Sequence, residues 1–378
     1  MRYTNVCIEA LGYTLPELVV TSDEIEERLA PLYRRLKLPA GRLELMTGIR
    51  ERRFWDEGTL PSEKSIESAE KAIVAAGIDR GRIGALVHGS VCRDYLEPAT
   101  ASGVHHALGL PAECMIYDVS NACLGILNGM LQVANMIELG QIEAGLVVGS
   151  EGGRQLVDTT IETLNRDETL TRDATKAAFA SLTIGSASAA ILLTSRRLSR
   201  TGNRLRAAVA RASTEHHDLC RSGRDESVGG GMRPLMNTDS ERLMREGIAT
   251  GVATLAAFLA EADLDLEEIN KTVCHQVGAA HRRLMLESLA LDPAIDFGTV
   301  EFLGNTGAAA LPVTMALAVE SGHIRPDDTV AMLGIGSGIN CVMCAVDWQT
   351  APLSPPAGEL GEPAEERLIA SRAPGDFE

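Results

Sequence analysis

The chain has 378 residues, 35 lysines and arginines against 52 aspartates and glutamates, a formal charge of −17 and only 3% aromatic residues. That length suits one large α/β body or two fused halves with cores of their own. The negative balance excludes nucleic acid and an anionic membrane surface as main partners, and any phosphate-bearing substrate then needs a local basic patch. The opening MRYTNVCIEALGY lacks the apolar region of a signal peptide, and no stretch reads as long and apolar enough to span a bilayer, so a cytoplasmic protein is expected.

Along the chain, AAGIDRGRIGALVHGSV (75–91) reads as a helix end, an acidic turn and a short apolar strand, followed by the loop CRDYLEPATAS (92–102). The next apolar run, CMIYDVS, stops at Asn121, and an Ala/Leu-rich helical pattern follows from NACLGIL. Between them stands Cys123. Amide groups at a helix start favour negative charge, so a thiol there is expected to ionise more easily and to act as a nucleophile. The bland alternative is a small apolar filler. Residues 154–181 form an extra polar-helical segment, read as a cap or a dimer element, and TIGSASAAILLTS (183–195) is a further strand.

The second half repeats the first. AEADLDLEEINKTVCHQV (260–277) matches 75–91, NTGAAALPVTMALAVESGHIRPDDTVAMLGIGSG (305–338) matches the block from Asn121, and LGIGSGINCVMCAVDW (333–348) matches 183–195, at offsets of about 180 to 190 residues. Three blocks in one order predict two homologous halves of alternating strands and helices, 1–200 and 201–348, joined near 195–206. In the second half Gly307 stands where the first has Cys123, with Asn305 at the opening, so a pseudo-twofold axis sets Asn305 across a shared cavity from Cys123. His275 leaves a strand end in TVCHQVG; by itself such a histidine is more often a packed or surface residue than a catalyst. A Cys/His/Asn trio suits acyl chemistry, the sulfur carrying the acyl group while the other two donate to a developing oxyanion or enolate.

The remaining features are plainer. The glycine-rich 222–239 stretch lacks the Lys-Ser/Thr of a phosphate-binding loop and reads as mobile. The Pro/Glu/Ala-rich tail 349–378 reads as extended. The eight cysteines read as free thiols in a chain of this kind, the CxxC pair Cys341 and Cys344 included. Arg52, Arg53 and Arg233 are the basic residues considered for a phosphate.

DVSNACLG, CHQVG, GNTGAAALP and LGIGSG stand in the order and spacing of the thiolase superfamily, and over residues 1–348 the chain resembles condensing enzymes similar to type III ketoacyl-carrier-protein synthase. The resemblance implies a five-layered αβαβα fold of two duplicated halves, a homodimer, and CoA thioesters as substrates with no cofactor. It matches Cys123 to the acyl-accepting nucleophile, His275 and Asn305 to the pair that polarises the second substrate's carbonyl, and the amides of Cys123 and Ser337 to an oxyanion hole. RDYLEP, NACL, RASTE and GIGSGIN further resemble the OleA-type enzymes, which join two long-chain acyl-CoAs. That likeness implies that Glu97 removes an α-proton in the partner subunit's active site, whereas a solvated loop carboxylate, or an ion pair with Arg93, is its plain alternative. Rival activities are a type III synthase using malonyl-carrier protein, a thioester hydrolase, and a catalytically dead scaffold. Thr306 and Ala308, and the glycine-rich and tail segments, depart from the OleA-like pattern. Either of the last two is expected to alter substrate entry or to bind another enzyme, with downstream pathway enzymes as partners.

Overall fold

The computed structural model describes residues 1–223 and 235–350. The triple glycine, Arg233 and most of the tail expected to be extended lie outside the described residues. The first half runs β1 (Val6–Thr14), β2 (Leu18–Thr21), α1 (Ser22–Arg28), α2 (Ala30–Leu36), α3 (Arg42–Thr47), β3 (Glu51–Phe54), α4 (Pro61–Ala76), β4 (Ile83–Gly89), α5 (Thr100–Leu108), β5 (Met115–Val119), α6 (Gly125–Glu138), β6 (Ala144–Glu151), α7 (Arg154–Arg166), α8 (Arg172–Phe179) and β7 (Ala187–Ser195). The second runs β8 (Arg204–Ala212), β9 (Cys220–Ser222), β10 (Met236–Thr238), α9 (Ser240–Ala262), β11 (Lys271–Cys274), α10 (Ala279–Ser288), β12 (Asp296–Phe297), α11 (Val300–Leu303), α12 (Ala310–Glu320), β13 (Thr329–Gly336) and β14 (Asn340–Asp347).

Among the described residues, ten strands form one continuous ladder in the order β12-β11-β13-β14-β8-β1-β7-β6-β4-β5. Read outward from its centre, the two arms have the same plan. β1-β7-β6-β4-β5 mirrors β8-β14-β13-β11-β12, with the last three of each arm parallel and the rest antiparallel. The arms meet at a single aligned pair, Cys7 opposite Arg204. The chain crosses between them through Ser195–Asn203, which is fastened by the buried Glu9. Its carboxylate accepts from the Ser199 hydroxyl at 2.7 Å and the Arg200 amide at 2.9 Å.

The apolar clusters define the layers. β6, β7 and β13 are buried on both faces, which is why they read as near-continuous apolar runs. α6, with Ile, Leu and Met, and α12, rich in Ala, Leu and Val, lie in the middle and share one core with strands of both arms. α4 and α5 cover the outer face of the first arm, and α9 and α10 that of the second. This is the five-layered αβαβα arrangement of two duplicated halves. α4 shows the local logic: Pro61 opens it where no amide partner is needed, and Gly77 closes it at φ 61°.

Residues 154–181, with α7, pack on α1–α3 as a separate apolar cluster containing Leu29, Val157 and Ile161. Cys341 and Cys344 are buried free thiols on opposite faces of β14, one in each neighbouring core. One sequence expectation needs correction. By length and composition α9, 23 residues of mean hydropathy 1.3 in its most apolar window, suffices to cross a membrane. Its buried face, which includes Gly247, Thr250, Gly251 and Leu255, lies against β8 and β14, with Thr254 and Phe258 wholly buried.

Candidate active site

The site residues leave the carboxyl ends of the parallel strands, where open α/β sheets form their crevices. In the first half β4 leads to the loop with Glu97, β5 to Cys123, and β6 ends at Glu151. In the second, β11 leads to His275, β12 to Asn305 and β13 to Ser337. The duplicated topology therefore brings the turn of Cys123 and the turn of Asn305 to equivalent places in the two arms.

The turn between β5 and α6 holds Ala122 at φ 47°, a left-handed conformation uncommon for a residue with a side chain. It is closed by the Leu124 amide bonding the Asn121 carbonyl at 3.0 Å. Asn121 is fixed from both halves, its Nδ2 donating to Asn128 at 2.7 Å and its Oδ1 accepting from Asn340 at 3.0 Å. Glycines on β13 make the approach possible: a Cβ on Gly334 would stand 2.7 Å from Leu124, and one on Gly336 3.6 Å from the Cys123 Cβ.

The backbone amides of Cys123 and Ser337 pull the Cys123 thiol down. One comes from each half. Their pull does not make the thiol acidic, contrary to the sequence expectation. Burial, then the charges of Glu151 and Cys220, push it up to about 12. Cys123 is half-buried, and desolvation by the atoms packed around it outweighs the helix-start effect.

His275 is 2% exposed, its amide bonding the Leu333 carbonyl of β13 at 2.9 Å. Burial, with a smaller contribution from His281, holds its imidazole down at about 3, so it is neutral at physiological pH. Both its ring nitrogens are buried without a hydrogen-bond partner among the described residues. Buried polar atoms are nearly always satisfied, and an unsatisfied pair of this kind fits a ligand's polar atom. His281 on α10, half-buried and held down at about 4 by desolvation, was not singled out in the sequence.

Asn305 is gripped by its backbone, which bonds Thr183 and Gly185 at 2.9 Å each. Its Oδ1 accepts the Gly307 amide at 3.1 Å, which directs the Nδ2 donors outward from that turn.

Two carboxylates differ sharply. Glu97 is exposed in the single chain, and it forms no ion pair with Arg93 among the described residues. Glu151 is 6% exposed and accepts three amides: Val91 at 3.0 Å, Cys92 at 3.3 Å and Ala308 at 3.2 Å. Burial pushes its carboxyl up while those amides pull it back. The sequence reading passed over Glu151, although a carboxylate closing the apolar run AGLVVGSE was a signal. Of the arginines considered for phosphate, Arg52 is wholly buried and spends its guanidinium on Ser22 and the Leu182 carbonyl, and Arg53 bonds the Pro16 carbonyl at 2.8 Å. Arg52 therefore cannot meet a soluble phosphate.

Residues 57–217 match the family described as Thiolase, N-terminal domain, and residues 259–348 the family described as 3-Oxoacyl-[acyl-carrier-protein (ACP)] synthase III C terminal. The chain is 44% identical to the acyl-CoA:acyl-CoA alkyltransferase of Shewanella oneidensis, over 92% of this chain and all of that one. It is 36% identical to the protein of the same name from Xanthomonas campestris, again over 92% and 100%. A cysteine-to-serine variant of Xanthomonas campestris OleA, solved with bound lauric acid and lauroyl-CoA, superposes with a TM-score of 0.86 at 36% identity, covering 92% of this chain and 100% of that one. With the layered halves and the strand-end site already described, these likenesses establish that the chain belongs to the thiolase superfamily, among the acyl-CoA:acyl-CoA alkyltransferases of OleA type.

Proposed function

We propose that this protein is an acyltransferase that joins two fatty acyl-CoA molecules by a non-decarboxylative Claisen condensation, giving a 2-alkyl-3-ketoacid. The carrying observation is the Cys123 sulfur, at the turn after β5, on which a backbone amide from each half acts. The N-terminal half, residues 1–200, supplies the nucleophile. The C-terminal half, 201–348, supplies His275 and Asn305.

In the first step the Cys123 sulfur attacks an acyl-CoA thioester. The Cys123 and Ser337 amides stabilise the oxyanion, the carbon–sulfur bond to CoA breaks, and CoA departs with the thiol proton. A second acyl-CoA then places its thioester oxygen between a neutral His275 N–H and the Asn305 Nδ2. A carboxylate, Glu97 of the partner subunit, takes the α-proton. The carbanion attacks the Cys123 thioester and expels the cysteine sulfur. Water finally cleaves the remaining CoA thioester. No cofactor enters these steps.

Exposure of Glu97 in the single chain supports its donation across a homodimer. In solved structures of the Xanthomonas campestris protein, substitutions fall on a glutamate, a cysteine and a histidine. That glutamate precedes that cysteine by the same interval as Glu97 precedes Cys123. The product belongs to long-chain hydrocarbon synthesis, with downstream pathway enzymes as partners of a cytoplasmic dimer.

The test is to incubate the protein with one long-chain acyl-CoA and weigh the product. Coupling of two chains into one acid is expected. Product formed only with malonyl-carrier protein would favour the synthase reading, and free fatty acid alone would mean hydrolysis. Glu97→Ala should leave Cys123 acylation intact and stop condensation.

A further inference from the structure

The buried carboxylate of Glu151 is left without a part in the steps above, yet it lies where the two halves of the site meet. It belongs to β6 of the first half. Its Oε1 receives the amides of Val91, at 3.0 Å, and Ala308, at 3.2 Å, and its Oε2 receives the amide of Cys92 at 3.3 Å. Val91 and Cys92 open the loop that runs to Glu97. Ala308 follows the turn whose Gly307 amide orients the Asn305 carboxamide. Neighbouring bonds hold Glu151 in place: its carbonyl accepts the Trp55 indole N–H at 3.0 Å, and the Ser90 hydroxyl bridges Ser150 and Cys92 carbonyls at 2.8 and 2.7 Å.

Gly307 shows how close the contact is. It sits at φ 56°, and a Cβ there would stand 3.1 Å from the carboxylate carbon, tighter than ordinary packing allows. A side chain at Gly307, like the cysteine at the equivalent place in the first half, would press into the carboxylate. A buried acid with no cationic partner on it is costly unless hydrogen bonds satisfy it. Here they come from three amides on two separate segments, so the carboxyl oxygens are satisfied only while both segments stay in their places.

We propose that Glu151 is a positioning residue: by binding the amides of Val91, Cys92 and Ala308 together, it locks the Glu97 loop against the Asn305 turn, so that condensation depends on it while loading of Cys123 does not. This rests on the condensing activity proposed above. A misplacement of about 1 Å in such a constellation costs on the order of 10²-fold in rate.

The test follows two readouts on the intact protein with a single long-chain acyl-CoA: the acyl adduct on Cys123, by mass, and the rate of two-chain product. Glu151→Ala should lower product formation about 10²-fold and leave adduct formation within a few-fold. Glu151→Gln keeps an oxygen for Val91 and Ala308 and should recover most of the rate. A Gln variant as inactive as the Ala variant would replace positioning by proton transfer and overturn the proposal. Equal losses in adduct and product would overturn it too, as would an unchanged product rate. In an Asn305→Ala background, Glu151→Ala should cost much less than it does alone, which a general structural defect would not reproduce. If Glu151→Ala does not fold, Gly307→Ala strains the same contact from the other side and should show the same selective loss; equal loss of both readouts sinks the proposal. A wild type that loads Cys123 but makes no two-chain product would refute the condensation reading and this inference with it, whereas a condensing wild type with an indifferent Glu151 refutes the inference alone.

Discussion

The turns after β5 and β12 occupy equivalent places in two arms of identical strand order, yet they present different chemistry. The first turns through Ala122 at φ 47° and presents a sulfur on which two amides act. The second opens with Asn305, ties its Oδ1 to Gly307, and leaves room at Gly307 for a carboxylate that the first turn could not admit. Duplication provides two similar crevice walls. A thiol on one wall and a carboxamide and an imidazole from strand ends of the other make them unequal, and two substrates can then be handled differently, one held covalently and one held by hydrogen bonds.

The sharpest way to break this comparison is to remove the thiol. Cys123→Ala should abolish the acyl adduct altogether, read by mass after incubation with acyl-CoA, because that sulfur carries the acyl group. Removing the opposite wall should act on the other half-reaction. Asn305→Ala should leave the adduct and lower two-chain product about 10²–10³-fold, the usual cost of one lost oxyanion donor. Equal effects of the two substitutions on both steps would mean that the walls are not specialised.

A third measurement concerns stability. His275 and His281 are held at about 3 and about 4, below the ordinary 6.5, by burial. The unfolded chain therefore binds protons that the folded chain refuses, and stability must fall as pH drops below about 6.5, down towards the folded values. The melting temperature should decline across that window, and His275→Gln should flatten the decline; a decline of unchanged slope would remove His275 from the cause. The smallest effect is expected away from both walls. Cys344→Ala, in the central core, should cost roughly 1 kcal/mol in denaturant unfolding and leave product formation unchanged, since the thiol is only packing there.

Much of this was legible before any coordinates. The repeated blocks predicted the duplicated halves because strand and helix periodicity is written locally. A cysteine between an apolar run and a helix start marked its own turn, and Asn305 and His275 followed from the repeat. Glu151 was not legible in this way. Its three partners come from residues 91, 92 and 308, and nothing in AGLVVGSE says that a strand end will meet a turn from the other half. Arg52 misled for a related reason: a charged residue beside other charged residues reads as surface, but β3 turns it inward against Ser22 and Leu182.

By itself, then, the sequence determined the layered halves, the strand-end turns and the residue types on them, because propensity, periodicity and repeat order act over short spans of chain. Only the tertiary structure decided how those residues ionise and what holds them. Burial of the Cys123 sulfur outweighs the helix start, burial keeps His275 neutral, and a carboxylate is stable inside because two distant segments bring it their amides. Desolvation depends on everything packed around a group, and the neighbours that matter here are far away along the chain.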